Sequence, residues 1–203
     1  MNFKQFIEDD ADRGYHPKIV RAIPFNLRNL GSTHFVFLIG LAIDVMLFCG
    51  LIGSYFVLRI APPDLPHLHE NLIGIVLASL ALAAGFLSYT VYTKNRNELT
   101  RMRVSLVLSL IFMTFFLGLN ALEWKSLLVD GLGVRAAFGD IYFLLTGVFY
   151  IHILGAMCYA LLKFRQMLRW KHYTRSGNSI AYLSYFMYAM LIVWAGIYGV
   201  VYL

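Results

Sequence analysis

The sequence predicts an all-α protein, a polytopic bundle of five transmembrane helices. Three observations predict it. Hydrophobic residues make up 60% of the chain and charged residues 14%, with a mean hydropathy of +0.68, whereas the surface of a soluble domain needs far more charge. Five runs, at about 35–58, 72–93, 104–122, 141–162 and 180–203, are nearly free of charge and each is 19 to 24 residues long. At ~1.5 Å of rise per residue, each crosses a hydrocarbon layer ~30 Å thick. Fourteen of the seventeen Lys and Arg residues fall in alternate connections, the asymmetry of a chain threaded back and forth through a membrane.

That charge pattern sets an expected orientation: the N-terminus cytoplasmic and the C-terminus, inside the last span, on the outer side of a bacterial inner membrane. It also excludes nucleic acid as the partner of a chain with net charge +6, since the basic residues sit where they orient the spans and meet anionic lipid. Residues 1–33 form a polar N-terminal extension and residues 34–203 the membrane domain. The extension carries Glu8, Asp9, Asp10 and Asp12 and has no short apolar core before a small-residue cleavage site, so no cleavable signal peptide is expected. Its stretch Ile19–Leu30 mixes apolar and basic residues and suits the cytoplasmic interface, broken at Pro24.

The first span holds Asp44, the one charged residue between Phe35 and Leu58. It falls near mid-bilayer, where a carboxylate costs roughly 2.5–3.5 kcal/mol, so it is expected to face protein, a partner or water. The loop after it, rich in proline, contains His67 and His69 without a third ligand and reads as a solvated turn rather than a metal site. In the second span Gly74, Ala78, Ala81, Gly85 and Ser88 recur at intervals of 4, 3, 4 and 3, a small-residue seam expected to pack inside the bundle. The third span is rich in phenylalanine and ends in Asn120, Glu123 and Trp124. Asn120 and Glu123 lie three apart on one face and can share a hydrogen-bond network, with Trp124 at headgroup level. The glycine-containing loop that follows is expected to hold a short interfacial helical turn.

The fourth span contains Thr146, Gly147, His152 and Gly155. His152 lies at the depth of Asp44, and the two are candidate partners, each lowering the cost of burying the other. In the fifth span Tyr188 and Trp194 lie deepest and are expected to reach polar groups. Cys49 and Cys158 lie within spans, outside any CxxC motif, and read as free, buried thiols. With one deep histidine, no phosphate-binding loop and no nucleophile constellation, the chain is expected to bind no metal or cofactor and to hold no catalytic residue or redox centre of its own.

Three blocks then resemble one family. Asp44, Met46, Phe48, Gly50-Leu51, Tyr55-Phe56 and Arg59 match the first; Asn120, Glu123 and Trp124 the second; Thr146, Gly147 and His152, with Gly155 one place early, the third. The chain resembles subunit III of the haem-copper respiratory oxidases (cytochrome c or quinol oxidases), in a five-span form. It departs from that pattern where Asp44 replaces Glu and Asn120 replaces Gln. It departs again where Phe149 and Tyr150 stand for His and Gly, and where Tyr188 and Leu191 stand for His and Asp near Trp194.

The resemblance implies an accessory subunit of a proton-translocating oxidase in aerobic electron transport. Haem and copper would reside in partner subunits, and the chain would support the catalytic subunit and its proton-uptake path and hold structural phospholipid. Arg59, Arg101, Arg103 and Trp194 are the lipid-binding candidates. Two other readings stand beside it: a small proton-coupled transporter or channel using Asp44 and His152, and the equivalent subunit of a nitric oxide reductase or another respiratory complex.

Overall fold

The computed structural model describes residues 32–58, 70–129, 137–169 and 179–201. They form five helices, α1 Ser32–Leu58, α2 Glu70–Asn95, α3 Leu99–Val129, α4 Ala137–Arg169 and α5 Ser179–Val201. All five are long and apolar enough to cross a membrane. Helices satisfy their own backbone donors and acceptors, which is what hydrocarbon demands of a spanning segment. The chain divides into Met1–Val36, described only from the first turn of α1, and Phe37–Leu203, which holds the bundle. The interfacial stretch Ile19–Leu30, the loop with His67 and His69, and Arg59 lie outside the described residues.

Helices α2 to α5 close into a four-helix ring. Between α2 and α3, Thr90 and Ser105 lie 2.8 Å apart, Ser109 donates to the Ala83 carbonyl at 2.8 Å, and Phe86 stacks on Phe112. Between α2 and α5, Ser88 Oγ lies 2.8 Å from Tyr188 Oη and 3.0 Å from Ser184 Oγ. Trp194 of α5 meets Phe149 of α4, and α4 returns to α3 through the contacts described below. A tight turn joins α2 to α3. Asn97 sits in the left-handed region at φ 58°, its N–H donates to the Lys94 carbonyl and that of Glu98 to the Thr93 carbonyl. This is a Schellman cap with asparagine in the position glycine usually fills.

Helix α1 lies outside the ring. Only 6% of its apolar window is buried, against 33–39% in the other four. Phe48 and Tyr55 are its buried side chains, and Phe37 touches Tyr182 of α5 at 5.0 Å between ring centroids. Much of the rest of its described surface, including Ile43, Met46 and Val57, is exposed, an arrangement suited to lipid or to another membrane chain.

Several expectations need correction. The helices overrun their apolar runs: α3 takes in Arg101, Arg103 and Lys125, and α4 takes in Lys163, Arg165 and Arg169. Of the loop expected to hold an interfacial turn, residues 125–129 are the end of α3 and 137–140 the start of α4, while 130–136 lie outside the described residues. Apart from Ser88, which is half-buried and hydrogen-bonded to α5, the seam of α2 faces outward rather than inward. Gly74, Ala78, Ala81 and Gly85 are exposed, and a Cβ on either glycine would meet nothing within 4 Å. The ring is packed instead by the neighbouring stripe Val76, Ser79, Leu80, Ala83, Ala84 and Leu87. Cys49 and Cys158 are free, as expected, but exposed on the bundle exterior rather than buried.

Candidate functional site

Asp44 projects from α1 one turn before Phe48, and together they meet the His152 turn of α4. Asp44 Oδ1 lies 3.4 Å from His152 Nε2, with side-chain exposures of 26% and 23%. Phe48 packs edge-on to His152 at 5.4 Å and to Phe149 at 5.8 Å. On its other side the imidazole is fixed, Nδ1 lying 2.7 Å from the Val148 carbonyl oxygen. A carbonyl only accepts, so Nδ1 carries hydrogen and Nε2 is the nitrogen turned to the carboxyl group. The pair is half enclosed: aromatic rings cover it on the bundle side and its other side opens to the exterior.

A second polar cluster joins α3 to α4. Asn120 is fully buried, donates through Nδ2 to the Phe116 carbonyl at 2.7 Å, and accepts from Tyr150 Oη at 2.8 Å. Trp124 Nε1 donates to Thr146 Oγ1 at 3.1 Å, and Thr146 passes a hydrogen bond to the Tyr142 carbonyl at 2.8 Å. Tyr142 Oη donates to Glu123 Oε1 at 3.3 Å. Asn120 and Glu123 are thus each held by a tyrosine of the facing helix. Such satisfied pairings are how polar groups are kept inside an apolar bundle at little net cost.

Sequence reasoning singled out Asn120, Glu123, Trp124, Thr146 and Gly147, named Tyr150 only as a departure from the family pattern, and passed over Tyr142. The signal was present: Tyr142, Thr146 and Tyr150 recur every fourth residue, one face of α4. Gly147 completes the fit, because a Cβ there would stand 3.3 Å from Trp124 Cη2 and 3.7 Å from Cζ2. Gly147→Val is therefore expected to displace the indole, break the Trp124–Thr146 bond and cost about 1–3 kcal/mol. Thermal unfolding in detergent reads the cost, and a shift in tryptophan emission reads the displacement.

The remaining candidates separate. Trp194, a lipid candidate expected to reach a polar group, is turned inward at 1% exposure. It touches Phe116, Phe149 and Tyr150, and its Nε1 has no hydrogen-bond partner among the described residues. It offers lipid no surface. Tyr188 does reach a polar group, Ser88. Arg101 is exposed and pairs with Glu98 at 2.9 Å. Arg103 donates from Nη2 to the Met167 carbonyl at 2.7 Å, tying the start of α3 to the end of α4. Among the described residues no three of His, Cys, Asp and Glu gather closely enough to hold a metal ion.

No family model matches the chain. Curated proteins do. Over 172 residues it is 24% identical to a probable cytochrome c oxidase subunit 3 of Nocardia farcinica, covering 81% of this chain and 84% of that protein. Over 175 residues it is 25% identical to the protein of the same name in Mycobacterium tuberculosis, with the same coverage of 81% and 84%. The chain is a relative of haem-copper oxidase subunit III. A third protein, the haem-copper oxidase subunit I+III of Aeropyrum pernix, is 27% identical over 161 residues, 72% of this chain and 19% of that one.

Proposed function

We propose that the chain is a non-redox accessory subunit of a haem-copper terminal oxidase. It packs against the catalytic subunit, steadies it and its proton-uptake path, and holds structural phospholipid. The observation that carries this reading is the match to oxidase subunit 3 over four-fifths of the chain, 81% in the Nocardia farcinica comparison. The Aeropyrum pernix relative named subunit I+III supports a catalytic subunit I as the partner. Haem and copper belong to that partner in this reading. The bundle is suited to a scaffold: polar side chains such as Ser88, Ser109, Asn120 and Trp124 join its helices to one another, and much of α1 and the outward small residues of α2 are exposed to neighbours. The N-terminus is cytoplasmic, which puts Arg101 and Arg103 at the headgroups of the inner leaflet.

Purification in mild detergent through a tag on this chain tests the proposal. The expected result is co-purification of haem with a larger multi-span subunit, and oxygen consumption that decays faster during turnover when this chain is deleted. A stable haem-free oligomer of this chain alone would overturn it in favour of transport. A nitric oxide reductase activity in the co-purified complex would move the chain to a different assembly.

A further inference from the structure

We propose that a transmembrane helix of the catalytic subunit packs along the flank of α1 beside Asp44, and that it presents a hydrogen-bond donor to the open side of the Asp44–His152 pair. The proposal rests on the reading of the chain as an oxidase accessory subunit and names the surface through which it meets its partner.

Residues three and four apart share a face of a helix, and this places Asp44 at an edge. On one side of it Phe48, a turn later, is buried against the His152 and Phe149 rings. On the other side Gly40 and Leu47, a turn before and a turn after, are exposed. Asp44 is therefore turned partly inward to His152 and partly toward Gly40 and Leu47. From there exposed residues recur at intervals of 3, 4, 3, 4 and 3, through Gly40, Ile43, Leu47, Gly50, Ser54 and Val57. That is the period of a left-handed helix pair. Its small members leave room for a backbone to approach: a Cβ on Gly40 or Gly50 would meet nothing within 4 Å, and Ser54 Oγ folds back to donate to the Gly50 carbonyl at 2.9 Å.

A small-residue stripe alone meets lipid as readily as protein, and the polar pair decides between them. His152 Nε2 approaches one carboxyl oxygen of Asp44 at 3.4 Å, while about a quarter of each side chain stays exposed. A carboxyl group accepts hydrogen bonds at both oxygens. Near the middle of the His34–Val57 span, acyl chains offer no donor, whereas a protein helix can carry a hydroxyl, amide or indole to that depth. The outward residues of α2, Gly74, Ala78, Ala81 and Gly85, expose no polar side chain, so hydrocarbon covers them without that cost. Helix α1 also has the most surface to give, with 6% of its apolar window buried against 33–39% in the other four. In the oxidase reading the helix that covers it belongs to a subunit I, the part joined to subunit III in the name of the Aeropyrum pernix relative.

Two measurements test this, each with a control on the opposite flank of α1, where Val45 and Cys49 are also exposed. A benzophenone side chain in place of Leu47, irradiated in native membranes, is expected to join this chain to the larger haem-bearing subunit; in place of Val45 it is expected to join it to lipid. Adducts from Leu47 with lipid alone, with a second copy of this chain, or with the larger subunit in equal yield from both positions would overturn the proposal. Gly50→Leu enters open space within the chain itself, so the folded yield of the tagged chain is expected to hold. The haem recovered through its tag is expected to fall by at least about tenfold, because bulk at a close helix crossing separates the backbones. Cys49→Leu is expected to retain haem at the wild-type level. Equal haem in these two variants counts against the flank, whichever the level. Wild type that brings down no haem sinks the oxidase reading and the proposal with it, whereas wild type and Gly50→Leu that bring down the same haem sink the proposal alone.

Discussion

Trp194→Ala is expected to lower stability by about 3–5 kcal/mol, the range for emptying a large aromatic site in a packed core. The indole is 1% exposed and is where three helices meet: from α5 it touches Phe116 of α3 at 5.3 Å and Phe149 of α4 at 4.8 Å. Hydrophobic transfer gives little between helices in lipid, so van der Waals contact of this kind is what holds the ring together. The cavity would also undercut Phe149, and through it the seat of Phe48 on α1. Trp194→Phe should behave differently. It keeps most of the ring contact and removes Nε1, which has no hydrogen-bond partner among the described residues. A buried donor with nothing to bond is a cost rather than a contribution, so this variant is expected within about 1 kcal/mol of the wild type. Thermal unfolding in detergent checks both. If Phe proves as damaging as Ala, Nε1 has a polar partner and the packing account is wrong.

The same balance of forces explains what could be read from the sequence. The spans were legible because crossing hydrocarbon requires a minimum apolar length, and length is counted directly. Their ends were less so. Arg101 and Arg103 open α3, and Arg165 and Arg169 close α4, because long cationic side chains reach water from a helix that continues past the apolar layer.

Rotation was the least legible property. In α2 the outward seam Gly74, Ala78, Ala81 and Gly85 and the inward stripe Val76, Leu80, Ala83 and Leu87 share one period and nearly one polarity. In a soluble helix water would mark the outer face; lipid does not. The exposed cysteines have the same origin. The depth match between Asp44 and His152 could be counted along the chain, whereas their 3.4 Å approach depends on a rotation that no count contains. Asn120 and Tyr150, each a departure from the family pattern, are hydrogen-bonded to each other at 2.8 Å. Read singly along the chain, each is only a departure.

His152→Leu is expected to be the most damaging change at the pair, more so than removal of its acidic partner. It leaves Asp44, about a quarter exposed, facing an aliphatic side chain at mid-helix, and an acidic residue without a partner at that depth costs roughly 2.5–3.5 kcal/mol. Asp44→Leu is expected to cost less, because the imidazole retains its bond to the Val148 carbonyl and only Nε2 loses a neighbour. Asp44→Asn should be milder still, since its amide N–H can donate to Nε2. The double change Asp44→Leu with His152→Leu supplies the decisive comparison. When both polar partners give way to apolar groups of similar size, no unsatisfied group remains and the loss is expected to be nearly recovered. The folded yield of the tagged chain and its unfolding temperature, compared across the four variants, give the coupling energy directly. A double variant as poor as His152→Leu would mean that the shape of the imidazole, packed edge-on to Phe48, matters at this position and its polar contact with Asp44 does not.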